Sequence, residues 1–273
     1  MNKLPQRIAF ALVLIGAVSA QAFAQKDGKD SLACRERQSG TRAGHCEIKE
    51  QTLPAPGGVI KVDGRQNGGV AIKGWERNEV LVRARVQTTA PSQAEADALA
   101  SQIVINTSGA NIFASGPDSR QDYSWSVSFE VFVPNRSDLS LNSHNGGISI
   151  SDVHGRVDFQ ALNGGVALNR VGGNVHGSTT NGGLSVQLTG DRWDGEGLDV
   201  QTTNGGINMS MPANYSAHLE TGTVNGSLKI GFPVTVQGEI TRELAVNLGS
   251  GGPTIRARTT NGGVRISRSG MAF

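Results

Sequence analysis

The chain lacks most of what a conventional enzyme or membrane core is built from. It has only two cysteines, Cys34 and Cys46, and its aromatics are 8 Phe, 3 Trp and 2 Tyr in 273 residues. Charged residues make up 18% and neither sign dominates. No apolar run reaches the roughly 20 residues that span a bilayer as a helix. The length still allows one large or two modest domains with a sizeable core, filled with few large side chains. Without an uncompensated basic face, nucleic-acid binding has no electrostatic basis. What is present in excess is glycine, 37 residues, about twice the average usage of roughly 7%. No Gly-x-y period accompanies it, which excludes a collagen helix. Interior glycines also disfavour long helices, at about 1 kcal/mol each against alanine. The composition points to a turn-dense all-β protein.

Residues 1–24 read as an export signal: Lys3 and Arg7 precede an apolar stretch from Ile8 to Val18, and Ala22-Phe23-Ala24 fits a small-x-small cleavage site. Removing two of the 25 Lys and Arg leaves 23 against 23 Asp and Glu, a neutral mature chain with no transmembrane segment expected in it. Export places the protein in the periplasm, outside the cell or on its surface. In such an oxidising compartment Cys34 and Cys46 are expected to pair, closing a small loop within an N-terminal linker over 25–56.

Internal repetition is the dominant signal. Asn-Gly-Gly occurs at Asn67, Asn145, Asn163, Asn181, Asn204 and Asn261, with a near-copy at Asn225-Gly226-Ser227. From Asn145 onward the spacings are 18, 18, 23, 21 and 36, so 23 is 18 with a five-residue insertion and 36 is twice 18. Aligned on the asparagine, the copies show apolar columns. Six residues before it stand Leu139, Val157, Val175, Leu198, Leu219 and Ile255; three after it stand Ile148, Val166, Leu184, Ile207, Leu228 and Val264. Two before it the residue is small: Ser143, Ala161, Thr179, Thr202, Thr223 and Thr259. Apolar positions step by two, which is strand periodicity.

Each copy is therefore two short strands and two corners, the second corner marked by Gly155 and Gly173. Asn-Gly tolerates the positive φ of a tight corner, and the second glycine admits close backbone approach. One copy cannot bury a face alone, and stacking shares a continuous core. The expected fold is a β-solenoid, parallel β-helix-like, over 135–273. A hairpin meander is the alternative, because Asn-Gly between alternating strands is also a hairpin signal; the constant period favours coils. Stacked coils would align Asn145, Asn163, Asn181, Asn204 and Asn261 as a ladder along one edge.

Residues 57–134 are less regular and read as a β cap. Ser92 and Glu95 form a capping box before an alanine-rich run, predicting one helix near 93–101. The order Gly74-Trp75-Glu76-Arg77-Asn78-Glu79-Val80, a short helix, Val133-Pro134 and then serial Asn-Gly-Gly coils resembles the bacterial putative-adhesin domain family, a domain of unknown function. It is similar to the head-GIN-type domains of auto-transporter adhesins. The resemblance covers about residues 57–268. It implies a β-solenoid on an exported protein and an adhesin-like label, and it implies no catalytic residues and no cofactor.

The residues themselves agree. Histidines at 45, 144, 154, 176 and 218 form no i,i+4 pair, and no metal, P-loop, dinucleotide or nucleophile-elbow motif is present. Asp158, Asp199 and Glu220 share the column five before the asparagine with Ser140, His176 and Arg256, which reads as a solvated face. The insertion around Asp191, Arg192, Trp193 and Asp194 combines an aromatic with mixed charges on a protruding loop. It is a candidate ligand loop, unless Trp193 simply covers the core. The function expected is a non-enzymatic adhesin-like binding or envelope-scaffold role, with a glycan or envelope protein as partner. A β-helix polysaccharide-active enzyme and a periplasmic structural or stress-response accessory are the alternatives.

Overall fold

The computed structural model describes residues 32–34, 42–234 and 242–269. The expected export signal over 1–24 lies outside the described residues. The chain begins with β1 (Ala43–Pro54), β2 (Ile60–Asp63), β3 (Val70–Trp75) and β4 (Glu79–Ala90), followed by helix α1 (Gln93–Ser101). Next come β5 (Val104–Asn106), β6 (Asn111–Ser115), β7 (Ser124–Pro134), β8 (Leu139–Ser143) and β9 (Ile148–Ser151). The regular repeats supply β10 (His154–Ala161), β11 (Val166–Asn169), β12 (Gly172–Asn181), β13 (Leu184–Gln187), β14 (Gly197–Asn204) and β15 (Ile207–Met211). The chain closes with β16 (Ala217–Asn225), β17 (Leu228–Ile230), β18 (Glu243–Leu248), β19 (Thr254–Asn261) and β20 (Val264–Arg268).

These strands form two ten-stranded sheets. Each repeat contributes one strand to each sheet, and successive repeats pair in parallel: His154–Ala161 with Gly172–Thr179, and Val166–Asn169 with Leu184–Gln187. Parallel pairing of consecutive repeats makes them coils, since a hairpin meander would pair antiparallel across each Asn-Gly turn. The protein is a β-solenoid of two facing sheets.

The aligned apolar columns line the space between the sheets. Leu139, Val157, Val175, Leu198, Leu219 and Ile255 are all buried, as are Ile148, Val166, Leu184, Ile207 and Val264. Volume is matched between neighbouring coils: a Cβ on Gly177 would lie 2.5 Å from the Phe159 ring, so the missing side chain of one coil houses the phenyl of the next.

The corners depart from expectation in an instructive way. None of the ladder asparagines has positive φ, and it is the first glycine of each Asn-Gly-Gly, not the second, that makes the close approach. A Cβ on Gly164 would sit 2.2 Å from the Gly146 carbonyl oxygen, and one on Gly182 2.1 Å from that of Gly164. At the second glycine the corresponding distance is 3.3 Å for both Gly165 and Gly183. The glycine is required because coils stack backbone on backbone at this corner. The threonine column completes it: Thr179, Thr202, Thr223 and Thr259 each donate a hydroxyl hydrogen bond of 2.7 Å to a glycine carbonyl of the adjacent coil. Each bond gives a half-buried corner carbonyl a partner from the neighbouring coil.

Stack order differs from chain order at both ends. In space the coils run β6–β7, β2–β3, β8–β9, β10–β11, β12–β13, β14–β15, β19–β20, β16–β17. The first coil in sequence lies between the second and third, and the last lies between its two predecessors. Residues 60–75, expected within an irregular cap, are thus a regular coil of the stack. Beyond β7, the strands β4 and β1 add antiparallel, with twelve residues of β1 paired to β4. The linker expected over 25–56 therefore contains an edge strand. Helix α1 is capped by Ser92, which accepts from the Glu95 N–H, and packs on β4 and β1. Glu130, 1% exposed, bonds Lys73 and Arg83, and Arg83 also bonds Glu50, linking β3, β7, β4 and β1 across the join.

Candidate functional site

The corner opposite the asparagines is built from Gly155, Gly173 and Gly195. Gly173 has φ +98°, and a Cβ there would lie 2.1 Å from the Gly155 carbonyl oxygen. A run of glycines at one edge leaves a trench with no side chains on its floor. Its walls come from the 55–58 segment before β2, Asn78 and the 134–138 connection, and His154 and Asp194 complete it. The resulting groove has a volume of about 570 Å³.

The groove's polar groups are held by backbone bonds. His154 N–H donates to the Asn135 carbonyl at 2.7 Å, and the His154 carbonyl accepts from Ser137 N–H at 3.1 Å. Asp138 accepts from the Arg156 N–H at 2.8 Å. Asp194 Oδ2 lies 3.7 Å from His154 Nε2, and both side chains reach solvent. Such a groove, with donors, acceptors and one carboxylate–imidazole pair, can hydrogen-bond a polar ligand.

The candidate loop divides between core and surface. Trp193 is 3% exposed and belongs to the core, so the indole is not a ligand-contacting surface. The physical reason is its apolar area, the largest in the insertion, together with a partner for its N–H: Nε1 donates to the Gly173 carbonyl at 2.9 Å. Gly173 N–H in turn donates to the Asp194 carbonyl at 2.6 Å, so one glycine clamps both residues. Asp194 is thereby delivered to the groove. Asp191 and Arg192 face each other at 3.5 Å on the exposed side. The Asp191 carbonyl accepts from Ser216 N–H at 2.7 Å. Nearby Tyr215 has its phenol pushed above its ordinary range by burial, with the Asp191 charge adding to it. His154 and Arg136, both at the groove, were not singled out from sequence; only the insertion's length signalled that something protrudes here.

Asn145, Asn163, Asn181, Asn204 and Asn261 lie on successive coils of the other corner. Side-chain amides bond in one direction: Asn163 donates to Asn145 at 2.9 Å, Asn181 to Asn163 at 2.7 Å, Asn204 to Asn181 and Asn261 to Asn204 at 2.8 Å. Asn67 and Asn225 extend the row at its ends, at 3.1 Å and 2.9 Å. Cys34 and Cys46 form a disulfide, tying residues 32–34 to β1. Among the described residues no three His, Cys, Asp or Glu side chains converge as a metal site, and no helix is long and apolar enough to cross a membrane.

No curated protein matches the chain. Among solved structures it is similar to a "putative cell adhesion protein" from Clostridium sporogenes, at 9% identity and TM-score 0.44, covering 82% of this chain and 100% of that one. A "putative adhesin" from Bacteroides fragilis is similar at 12% identity and TM-score 0.39, over 81% and 97% of the two chains. Neither likeness extends to function. The profile of the Toastrack DUF4097 family matches residues 65–267, a span that contains all seven asparagines of the corner row. The chain belongs to the Toastrack DUF4097 family.

Proposed function

We propose that this protein is an exported, non-enzymatic, adhesin-like binding or scaffold module of the cell envelope, and that the glycine-floored groove beside His154 and Asp194 is its ligand contact. The observation that supports this reading is the insertion itself. A regular coil needs 18 residues, and the extra length is anchored by a buried Trp193 so as to present Asp194 to the groove. The disulfide and the N-terminal signal pattern support export. The Asn-Gly-Gly order adds a resemblance to head-GIN-type adhesin domains. A polar, solvent-open groove without an exposed aromatic platform suits an envelope polysaccharide or a protein loop held by hydrogen bonds.

Cell fractionation should place the mature chain outside the cytoplasm. Purified protein incubated with a panel of envelope polysaccharides should retain one of them without turnover, and D194A with H154A should weaken that retention. Hydrolysis of a polysaccharide, abolished by a single acid substitution, would replace this reading with the β-helix enzyme.

A further inference from the structure

We propose that β19–β20 is an inserted coil: the chain can close two stacking orders in one register, and Arg256 selects the one observed. In sequence, β16–β17 follows β14–β15, yet in space β19–β20 stands between them. Both neighbours meet it in the same frame. Leu198 and Leu219 pair with Ile255, Thr202 and Thr223 with Thr259, and Asn204 and Asn225 with Asn261. On the other sheet Ile207 and Leu228 pair with Val264, and Met209 and Ile230 with Ile266. Withdraw β19–β20, and the two flanking coils face one another already in register. Aliphatic meets aliphatic and amide meets amide. The Thr223 hydroxyl, now bonded to Gly262, would take over the Gly205 carbonyl that Thr259 occupies. A stack in plain sequence order thus requires no new chemistry.

Two charged columns cross these coils: Asn208, Arg265 and Lys229 on one sheet, where Arg265 neighbours Lys229 in either order, and a second on the other sheet that separates the two orders. As observed, it reads Asp199, Arg256, Glu220 across three adjacent strands, with Arg256 bonding Asp199 at 3.1 Å and Glu220 at 2.8 Å. In sequence order the two carboxylates would stand on neighbouring strands, roughly 4.8 Å apart, a juxtaposition that destabilises a sheet. Strand β18 then closes the outer route. It pairs antiparallel with β16 from Ala217–Leu248 to Gly222–Glu243, occupying the edge on which β19 would otherwise add. The turn over 249–253, with Gly249 at φ +55° and Gly251 at φ +74°, returns the chain to the inner side. The loop that brings β16–β17 onto β14–β15 is much shorter than the one that brings β19–β20 there, so the nearer coil docks first and then opens to admit the last coil.

The test uses the full-length chain with its native disulfide intact, refolded from urea and oxidised in timed pulses with diamide. The pair N208C/R265C reports the observed order, since Asn208 lies opposite Arg265. The pair N208C/K229C reports sequence order; in the observed stack these positions are separated by the intervening strand, beyond the roughly 7 Å limit for a disulfide. Early pulses are expected to trap the 208–229 bond, which declines as the 208–265 bond rises. At equilibrium, E220R, which sets a cation beside Asp199 in sequence order and against Arg256 in the inserted order, should raise the 208–229 yield several-fold; R256Q should raise it less. Either signal supports two orders. A 208–229 bond absent at every refolding time, and absent in both variants while circular dichroism shows them folded, overturns the proposal.

Discussion

Asp199 and Arg256 are 57 positions apart in the chain and lie side by side on adjacent strands, Oδ2 to Nη1 at 3.1 Å. That contact exists only because the last coil is threaded between its two predecessors, and it draws Glu220 into the same cluster from the other side. The Arg256 hydrogen bond, more than the Arg256 and Arg258 charges, holds the Glu220 carboxyl below its ordinary range. Its folded pKa is depressed, so the stability it contributes is present above the unfolded carboxylate value, near 4.5, and is lost as pH falls through the lower folded value. Wild type and E220Q should therefore differ in Tm at pH 7 and converge in strong acid. A difference independent of pH would show that charge is not the cause. Because the cluster is partly exposed, its size at neutral pH should be about 1 kcal/mol and should shrink in high salt.

The first corner glycines should be irreplaceable and the second ones tolerant. G182A places a Cβ 2.1 Å from the Gly164 carbonyl oxygen, and G183A places one 3.3 Å from that of Gly206. Overpacking of this kind costs about 1–3 kcal/mol or more. Urea denaturation should rank G182A well below G183A; equal midpoints would contradict backbone-on-backbone stacking.

T202V keeps shape but removes the donor to the Gly182 carbonyl, a bond of 2.7 Å at a residue only 3% exposed. Leaving such an acceptor unpaired costs about 1–3 kcal/mol. The Asn163 coil carries Ala161 at this position. A161T should therefore be neutral or stabilising, and thermal melts of the two variants should move apart.

Trp193 is read as an anchor. W193A should cost about 3–5 kcal/mol, the range for removing a buried large aromatic, and should weaken polysaccharide retention by releasing Asp194. If stability is unchanged while retention is lost, the indole contacts ligand directly and its buried placement does not describe the working state.

Reduction of Cys34–Cys46, which closes a loop of 12 residues, should lower stability by about 2–3 kcal/mol on chain-entropy grounds. Melting with and without reductant, compared with C34S/C46S, measures it. The effect should be confined to early unfolding of β1 if hydrogen exchange is followed strand by strand.

The amino-acid sequence by itself determined the unit: apolar residues at every second position, an asparagine corner recurring on an 18-residue base period with insertions, small residues beside it, and a capped helix at 93–101. These are local requirements of strand alternation, backbone approach and capping, so they are legible in one chain without its partners. Only the tertiary structure decided which coil lies beside which. Every coil presents nearly the same columns to its neighbours, so the repeat pattern is indifferent to order. The choice falls to features scattered along the chain: the antiparallel β18 on the outer edge of β16, and Arg256 between Asp199 and Glu220. The same holds for the groove. Its residues, from Ala55 to Gly195, come from separate connections that meet at one corner only once the coils are stacked. The fate of Trp193 was decided there too, because an indole facing a glycine corner gains more from burial than from solvent.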